Sequence, residues 1–297
     1  MNRAKEQLET VKNSTGFIAA LDQSGGSTPK ALRLYGVDED QYSSEQEMFE
    51  KVHDMRTRIM TNEHFTNNNI MAAILFENTM DRTVQNKPTT RYLWEDKGIL
   101  PILKIDKGLA DIESNVQIMK PIPNLDALLD KAIDNEVFGT KMRSVIKNNN
   151  QNGIKDVVAQ QFDIGSQILN KGLVPIIEPE VDIHSPNKQA AEETLRKQLL
   201  SHLDLLPEGQ QVIFKLTLPE TANFYMECIE HPNILKVVAL SGGYSREEAN
   251  RRLSENFGMR ASFSRALTEG LDVTQTDAEF SQVIRQSIES IVAASRT

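Results

Sequence analysis

Gln211-Val-Ile-Phe-Lys-Leu-Thr-Leu-Pro219 reads as a β-strand, a short run of apolar, β-branched and aromatic residues closed by a proline. Side chains alternate along a strand, so Val212, Phe214, Leu216 and Leu218 share one face, and Ile213, Lys215 and Thr217 the other. An ammonium in such a run has to be paired, neutralised or exposed, because desolvating a lone charge costs more than a strand returns. Lys215 therefore either reaches water from an edge or a strand end, or faces a polar cavity. A neutral amine in a pocket is what a Schiff-base nucleophile requires. The other strands decide between the two.

Working outward, strands are predicted over 17–22, 70–76, 99–105, 137–143, 173–178, 211–217, 236–241 and 259–265. Helices are predicted near 5–12, 125–135, 153–171, 188–203, 220–230, 245–256 and 277–294. A further amphipathic helix over 43–60 carries Met48, Phe49, Val52, Met55 and Ile59 at helical spacing. Eight strands alternating with helices predict an α/β fold, a single (β/α)8 TIM barrel spanning 1–297, with the 43–60 helix added between the first two strands. An open doubly wound sheet is the competing arrangement. No linker composition or repeat suggests a second domain.

The residue balance narrows the function. Hydrophobic residues make up 39% of the chain, enough for a sizeable core, and the charged fraction of 25% is ordinary. A net charge of −9 argues against generic binding to nucleic acid or anionic membrane, while leaving room for a local cationic pocket. The lone Cys228 excludes an intramolecular disulfide, as in a reducing compartment. No apolar run reaches spanning length, and the first residues lack a signal-peptide core, so a soluble cytoplasmic protein is expected.

In a barrel the active site gathers at the C-terminal ends of the strands. Here those ends carry Asp22, Lys104, Lys141 with Arg143, Glu178 with Glu180, Lys215, Ser241 and Arg265. Any one of them is most simply a solvated strand end. Seven strands doing so on one rim predict a charged pocket. Lys141 and Lys215 fall on strands four and six, which share a layer, so each cation is expected to lower the other's pKa. Glu178, on the strand between, could donate or accept protons. Asp22 could hydrogen-bond a substrate hydroxyl. Two anion subsites are readable: Ser241, Gly242 and Gly243 with Arg265, and Ser24-Gly25-Gly26-Ser27 with Lys104 and Arg143. An anion site at each end of an amine suits a bisphosphorylated ketose. No metal site is predicted, because His53 and His202 fall in helices and His64, His184 and His231 in loops.

These blocks have a family likeness. Ile18-Ala-Ala-Leu-Asp-Gln-Ser-Gly-Gly-Ser27, Leu103-Lys-Ile-Asp-Lys-Gly108, Lys141-Met-Arg143, Pro175-Ile-Ile-Glu-Pro-Glu180, Phe214-Lys215, Leu240-Ser-Gly-Gly243 and Phe263-Ser-Arg-Ala266 resemble, in order, the strand-end motifs of class I fructose-bisphosphate aldolases of the shorter bacterial branch. The resemblance implies a metal-independent glycolytic and gluconeogenic lyase. It needs no cofactor beyond the covalent imine that its substrate forms with Lys215. It further implies Glu178 as base, Lys141 as a proton-transfer partner, Asp22 and Glu180 as orienting groups, and the two subsites as holders of the C1 and C6 phosphates. Its partners would be phosphosugars; larger relatives are commonly tetramers, and whether this chain forms a homo-oligomer is left open. Gln23 and Ala31 depart from the animal and plant pattern, which has glutamate and a phosphate-facing arginine there. Another Schiff-base phosphosugar aldolase of transaldolase type, or a catalytically silent phosphosugar-binding protein, are the alternatives.

Overall fold

The computed structural model describes residues 3–297. Eight parallel strands form the barrel in chain order: β1 (Phe17–Leu21), β2 (Ile70–Leu75), β3 (Leu100–Lys104), β4 (Gly139–Ile146), β5 (Val174–Val181), β6 (Val212–Thr217), β7 (Ile234–Leu240) and β8 (Arg260–Ala261). Each pairs with its sequence neighbour, and the Ala20 N–H closes the ring by donating to Phe263 O at 3.2 Å. That closure removes the open doubly wound alternative, since a wound sheet keeps two free edges.

The strands are buried on both faces, as parallel sheets require. Ile18, Ala20, Ile74, Ile102, Ile176, Ile213 and Val238 fill the barrel interior, with Leu8 and Val11 of the leading helix Arg3–Asn13 packed against them. Phe17, Leu21, Phe214 and Leu216 face outward into a second apolar layer beneath the helices. The alternation read for the Lys215 strand is therefore physical: Phe214 and Leu216 pack against helices, and Ile213 and Lys215 face in. Lys215 is not an edge residue, because β6 lies between β5 and β7, and it is buried.

Several boundaries differ from the sequence expectation. β4 and β5 run on to Ile146 and Val181, because they stay in register from Gly139↔Val174 to Ile146↔Val181 and the short strand Val116–Gln117 adds to β4 from its other side. Lys141 and Glu178 are thus strand-interior residues, not strand ends. β8 is only Arg260–Ala261, and Arg265 opens a short helix, Arg265–Thr268, instead of ending the strand. The cause is local: Ser264 turns out of extended geometry, and its carbonyl accepts from the Leu267 and Thr268 N–H groups. The helix expected over 220–230 shrinks to Met226–Ile229. The added helix runs over Glu45–Thr61, capped by the Ser44 side chain. Thr28–Leu34 is a further helix, with a proline in its first turn. Among the described residues no helix is long and apolar enough to cross a membrane.

Candidate active site

One cavity of about 550 Å³ opens at the C-terminal ends of the strands. Of the strand-end and subsite residues named above, Asp22, Ser24, Ser27, Lys104, Lys141, Arg143, Glu178, Glu180, Lys215, Ser241, Gly242 and Arg265 line it, while Gly25, Gly26 and Gly243 do not. Counting every charged lining residue, Lys30, Lys104, Lys141, Arg143, Lys215 and Arg265 outnumber Asp22, Asp106, Glu178 and Glu180. A chain of net charge −9 thus holds a cationic pocket, and such a pocket favours a polyanion.

At its floor sits a buried ionic cluster. Glu178 joins the two lysines, with Oε1 3.1 Å from Lys215 Nζ and Oε2 3.1 Å from Lys141 Nζ. Lys141 also lies 2.6 Å from Asp22 Oδ2 and 4.0 Å from Asp106 Oδ2. The expectation that the two lysines would depress each other fails for Lys141. Burial alone would lower its pKa, but the Asp22, Glu178 and Asp106 carboxylates outweigh burial and hold it well above the usual lysine range. Asp22 mirrors this: burial would raise its carboxyl, but Lys141, Lys215 and Lys104 hold it well below the usual value of 3.8. Lys141 is therefore a fixed cation at neutral pH, and Asp22 a fixed anion.

The sign for stability follows. Asp22 has a lower pKa folded than unfolded, so its contribution is present above about pH 4 and is lost as pH falls toward the folded value. Between about pH 5 and pH 3 the denaturation midpoint of wild type should fall further than that of Asp22→Asn. Parallel losses in the two proteins would remove Asp22 from the acid response.

The scaffold fixes these groups from behind. The Glu178 backbone N–H donates to the buried Gln161 Oε1 at 2.8 Å, which ties β5 to helix Gln151–Asn170. The Thr217 hydroxyl donates to Val181 O at 2.8 Å and accepts from Val181 N–H at 2.9 Å, fastening the ends of β5 and β6 where their ladder has run out. Glu180 does not reach the lysines; its carboxylate pairs with the Arg143 guanidinium across the β4–β5 pair. Lys104 Nζ is held by Asp106, through the backbone O at 2.8 Å and Oδ1 at 2.7 Å.

The two anion subsites differ in build. Gly242 and Gly243 have φ of +59° and +119°, which side-chain-bearing residues rarely adopt. A Cβ on Gly242 would come within 2.6 Å of Ile183 Cγ2, and one on Gly243 would press on Ile183 and the Arg265 guanidinium. Glycine is needed there for the backbone to lie against the arginine. Gly243 is exposed and does not line the cavity. On the other side, the Ser24 N–H donates to Ser27 Oγ at 2.9 Å, closing the turn that opens helix Thr28–Leu34.

Sequence reading passed over Lys30, Asp106, Gln161 and Arg56. Asp106 was readable, because it shares a strand face with Lys104 two residues earlier. Arg56 was also readable in principle: it lies beside Val52, Met55 and Ile59 on the buried face of its helix, where a charge has to find partners. Lys30 and Gln161 carry no local signal. Among the described residues no cluster of His, Cys, Asp or Glu has the geometry to hold a metal ion.

Comparison with known proteins identifies the family. The sequence model of the family described as class-I fructose-bisphosphate aldolase matches residues 4–218. A class 1 fructose-bisphosphate aldolase from Synechocystis sp. is 59% identical over 293 residues, covering 99% of this chain and 98% of its own length. One from Porphyromonas gingivalis is 56% identical over 291 residues, covering 98% and 99%. The fold also matches a solved fructose-bisphosphate aldolase from Plasmodium falciparum, determined with TRAP and a small-molecule inhibitor. That match has a TM-score of 0.74 at 19% identity, over 99% of this chain and 95% of the other. With a family match over most of its length and relatives identical at more than half of their positions, this chain belongs to the class I fructose-bisphosphate aldolase family.

Proposed function

We propose that the chain, acting as one barrel domain, cleaves fructose 1,6-bisphosphate reversibly to dihydroxyacetone phosphate and glyceraldehyde 3-phosphate through an imine on Lys215. The observation that carries the reading is the buried Lys215–Glu178–Lys141 cluster at the floor of a cationic cavity. Lys215 as a free amine attacks the C2 carbonyl, and Glu178 lies close enough to take the proton it gives up. Solvent supplies a proton to the carbinolamine oxygen, Glu178 returns its own as that hydroxyl leaves as water, and the protonated imine left behind draws electrons from the C3–C4 bond. Glu178 takes the C4-hydroxyl proton, the bond breaks, and the aldehyde departs. The enamine left on Lys215 is protonated at C3 and hydrolysed to dihydroxyacetone phosphate.

The surrounding groups divide into charge and position. Lys141, held as a cation, offsets negative charge on Glu178. Asp22 fixes Lys141 and faces the substrate hydroxyls, while Glu180 holds Arg143 in place. Ser241, Gly242 and Arg265 would take the C1-phosphate, with Gly243 shaping their loop. Ser24, Ser27, Lys104 and Arg143 would take the C6-phosphate. Lys30 lines the cavity beside Ala31, placing a cation one residue from where arginine is missing. The same reading puts the enzyme in the cytoplasm, acting on dissolved phosphosugars without a nucleic-acid or membrane partner, which fits its net charge of −9.

Borohydride reduction in the presence of fructose 1,6-bisphosphate tests the reading directly. Mass spectrometry should find a reduced triose-phosphate or hexose-phosphate adduct on Lys215. An unmodified Lys215 under turnover conditions would overturn it. Arg265→Ala should raise KM and also slow kcat, lowering kcat/KM about a hundredfold, because a remote phosphate contact places the reacting carbons. An unchanged kcat/KM would remove Arg265 from the C1-phosphate site.

A further inference from the structure

The barrel closes at a thin joint. β1 and β2 are paired along their length, as are β6 and β7. β8, in contrast, pairs with β7 over two residues only. Among the described residues, the region of β8 meets β1 through one backbone hydrogen bond, Ala20 N–H to Phe263 O. Asp22 and Arg265 stand on opposite sides of this seam, on the segments that follow β1 and β8. Two groups that must act on one substrate are thus carried by strands that hardly touch.

We propose that Gln23 is a positioning residue that fastens this seam, tying the Asp22 segment to the Arg265 segment with the buried Arg56 as its anchor. Gln23 Nε2 donates to Ser264 Oγ at 2.6 Å. Ser264 is the residue before Arg265, and its carbonyl holds the turn from which Arg265 starts. The bond therefore supplies a rung that the truncated β8 cannot provide from its backbone. Arg56, on the helix between β1 and β2, donates to Gln23 O at 2.5 Å and Gln23 Oε1 at 3.3 Å, and to Thr79 Oγ1 at 2.7 Å. Gln23 is clamped at one end by a group rooted in the core and reaches across the seam with the other.

The chemistry of the partners fits this use. A carboxamide offers both an acceptor and two N–H donors, so one side chain can accept from Arg56 and donate to Ser264. Arg56 is fully buried and has no carboxylate within ion-pairing distance among the described residues. Burial pushes its pKa down to about 10, against the opposing pull of Asp22. A buried guanidinium held mainly by neutral acceptors is costly to keep. The loop it secures is the one that carries Asp22.

The inference rests on the roles given above to Asp22 and Arg265, and a double-mutant cycle tests it. Gln23→Ala and Ser264→Ala should each lower kcat/KM for fructose 1,6-bisphosphate about tenfold, with Tm within about 2 °C of wild type. The double variant should lose no more than about threefold beyond the worse single, since both substitutions break the same bond. Ser264→Thr keeps the hydroxyl and should stay within about threefold of wild type. The rate of borohydride-trapped adduct formation from dihydroxyacetone phosphate should fall in step, because Arg265 takes the triose's phosphate and Asp22 holds Lys141 in the cluster that contains Lys215. Losses that multiply in the double variant, a Ser264→Ala protein with wild-type kcat/KM, or an unchanged trapping rate would each overturn the fastening role. So would activity that follows a falling Tm and is not restored in Ser264→Thr. A wild-type protein that traps no adduct at all would instead bring down the reading of the site beneath it.

Discussion

Lys215→Met should abolish fructose 1,6-bisphosphate cleavage, with kcat reduced by more than about a thousandfold, while phosphate-ligand binding remains measurable. Methionine keeps the length of the side chain and removes the amine, so no imine can form and no electron sink develops. The loss should appear almost entirely in kcat, because the anion subsites are built from other strands. The variant should still fold. Glu178 loses one ammonium partner but keeps Lys141 at 3.1 Å, so no buried carboxylate is left unpaired. Turnover with a purified, folded Lys215→Met protein above a thousandth of wild type would mean that another group carries the chemistry. An adduct appearing at Lys141 in that variant would point to the same conclusion.

For Glu178→Gln the expected fall in kcat is about a hundred- to a thousandfold, with KM changed little. The amide keeps the shape and part of the hydrogen bonding, but it can neither take the C4-hydroxyl proton nor balance two ammonium groups. Lys141 would then face Lys215 with only Asp22 and Asp106 to offset it. Trapping of dihydroxyacetone phosphate should slow less than cleavage of the hexose, because imine formation with the triose needs no C4-hydroxyl deprotonation. Equal slowing of both would assign Glu178 to carbinolamine dehydration alone. A Glu178→Gln enzyme within tenfold of wild type would remove it from proton transfer altogether.

The order of these two effects follows from what each residue has to do. A general base can be replaced in part by water or a neighbouring carboxylate, at a cost of a few orders of magnitude. The atom that forms the covalent bond has no such substitute. Asp22 and Arg265 come below both, because each shapes the site around the reaction centre without making or breaking the covalent bond.

How much of this could be read beforehand depends on how local each feature is. Strand–helix alternation and the inward parity of Lys215 follow from side-chain periods of about 2 and 3.6, which a short window of sequence already contains. The polar residues near the strand ends were legible for the same reason. Strand lengths were not: β4 and β5 outrun their apolar segments because each supports the other's ladder, and β8 stops early because Ser264 turns. Ionisation was not legible either. Two lysines in one layer suggest mutual depression, but the carboxylates of Asp22, Glu178 and Asp106, gathered from three strands, reverse the sign at Lys141.

From its sequence alone this protein's fold class was determined, along with the face on which each candidate group lies and the cation-rich character of the pocket, since periodicity and residue type are properties of neighbours along the chain. Only the folded barrel decided which carboxylate meets which amine, that Glu180 serves Arg143 and not the lysines, and that Gln23 spans the seam between β1 and β8. Those contacts join residues up to 241 positions apart. Their distances are set by how the sheet closes, and their charges by fields that do not exist until it does.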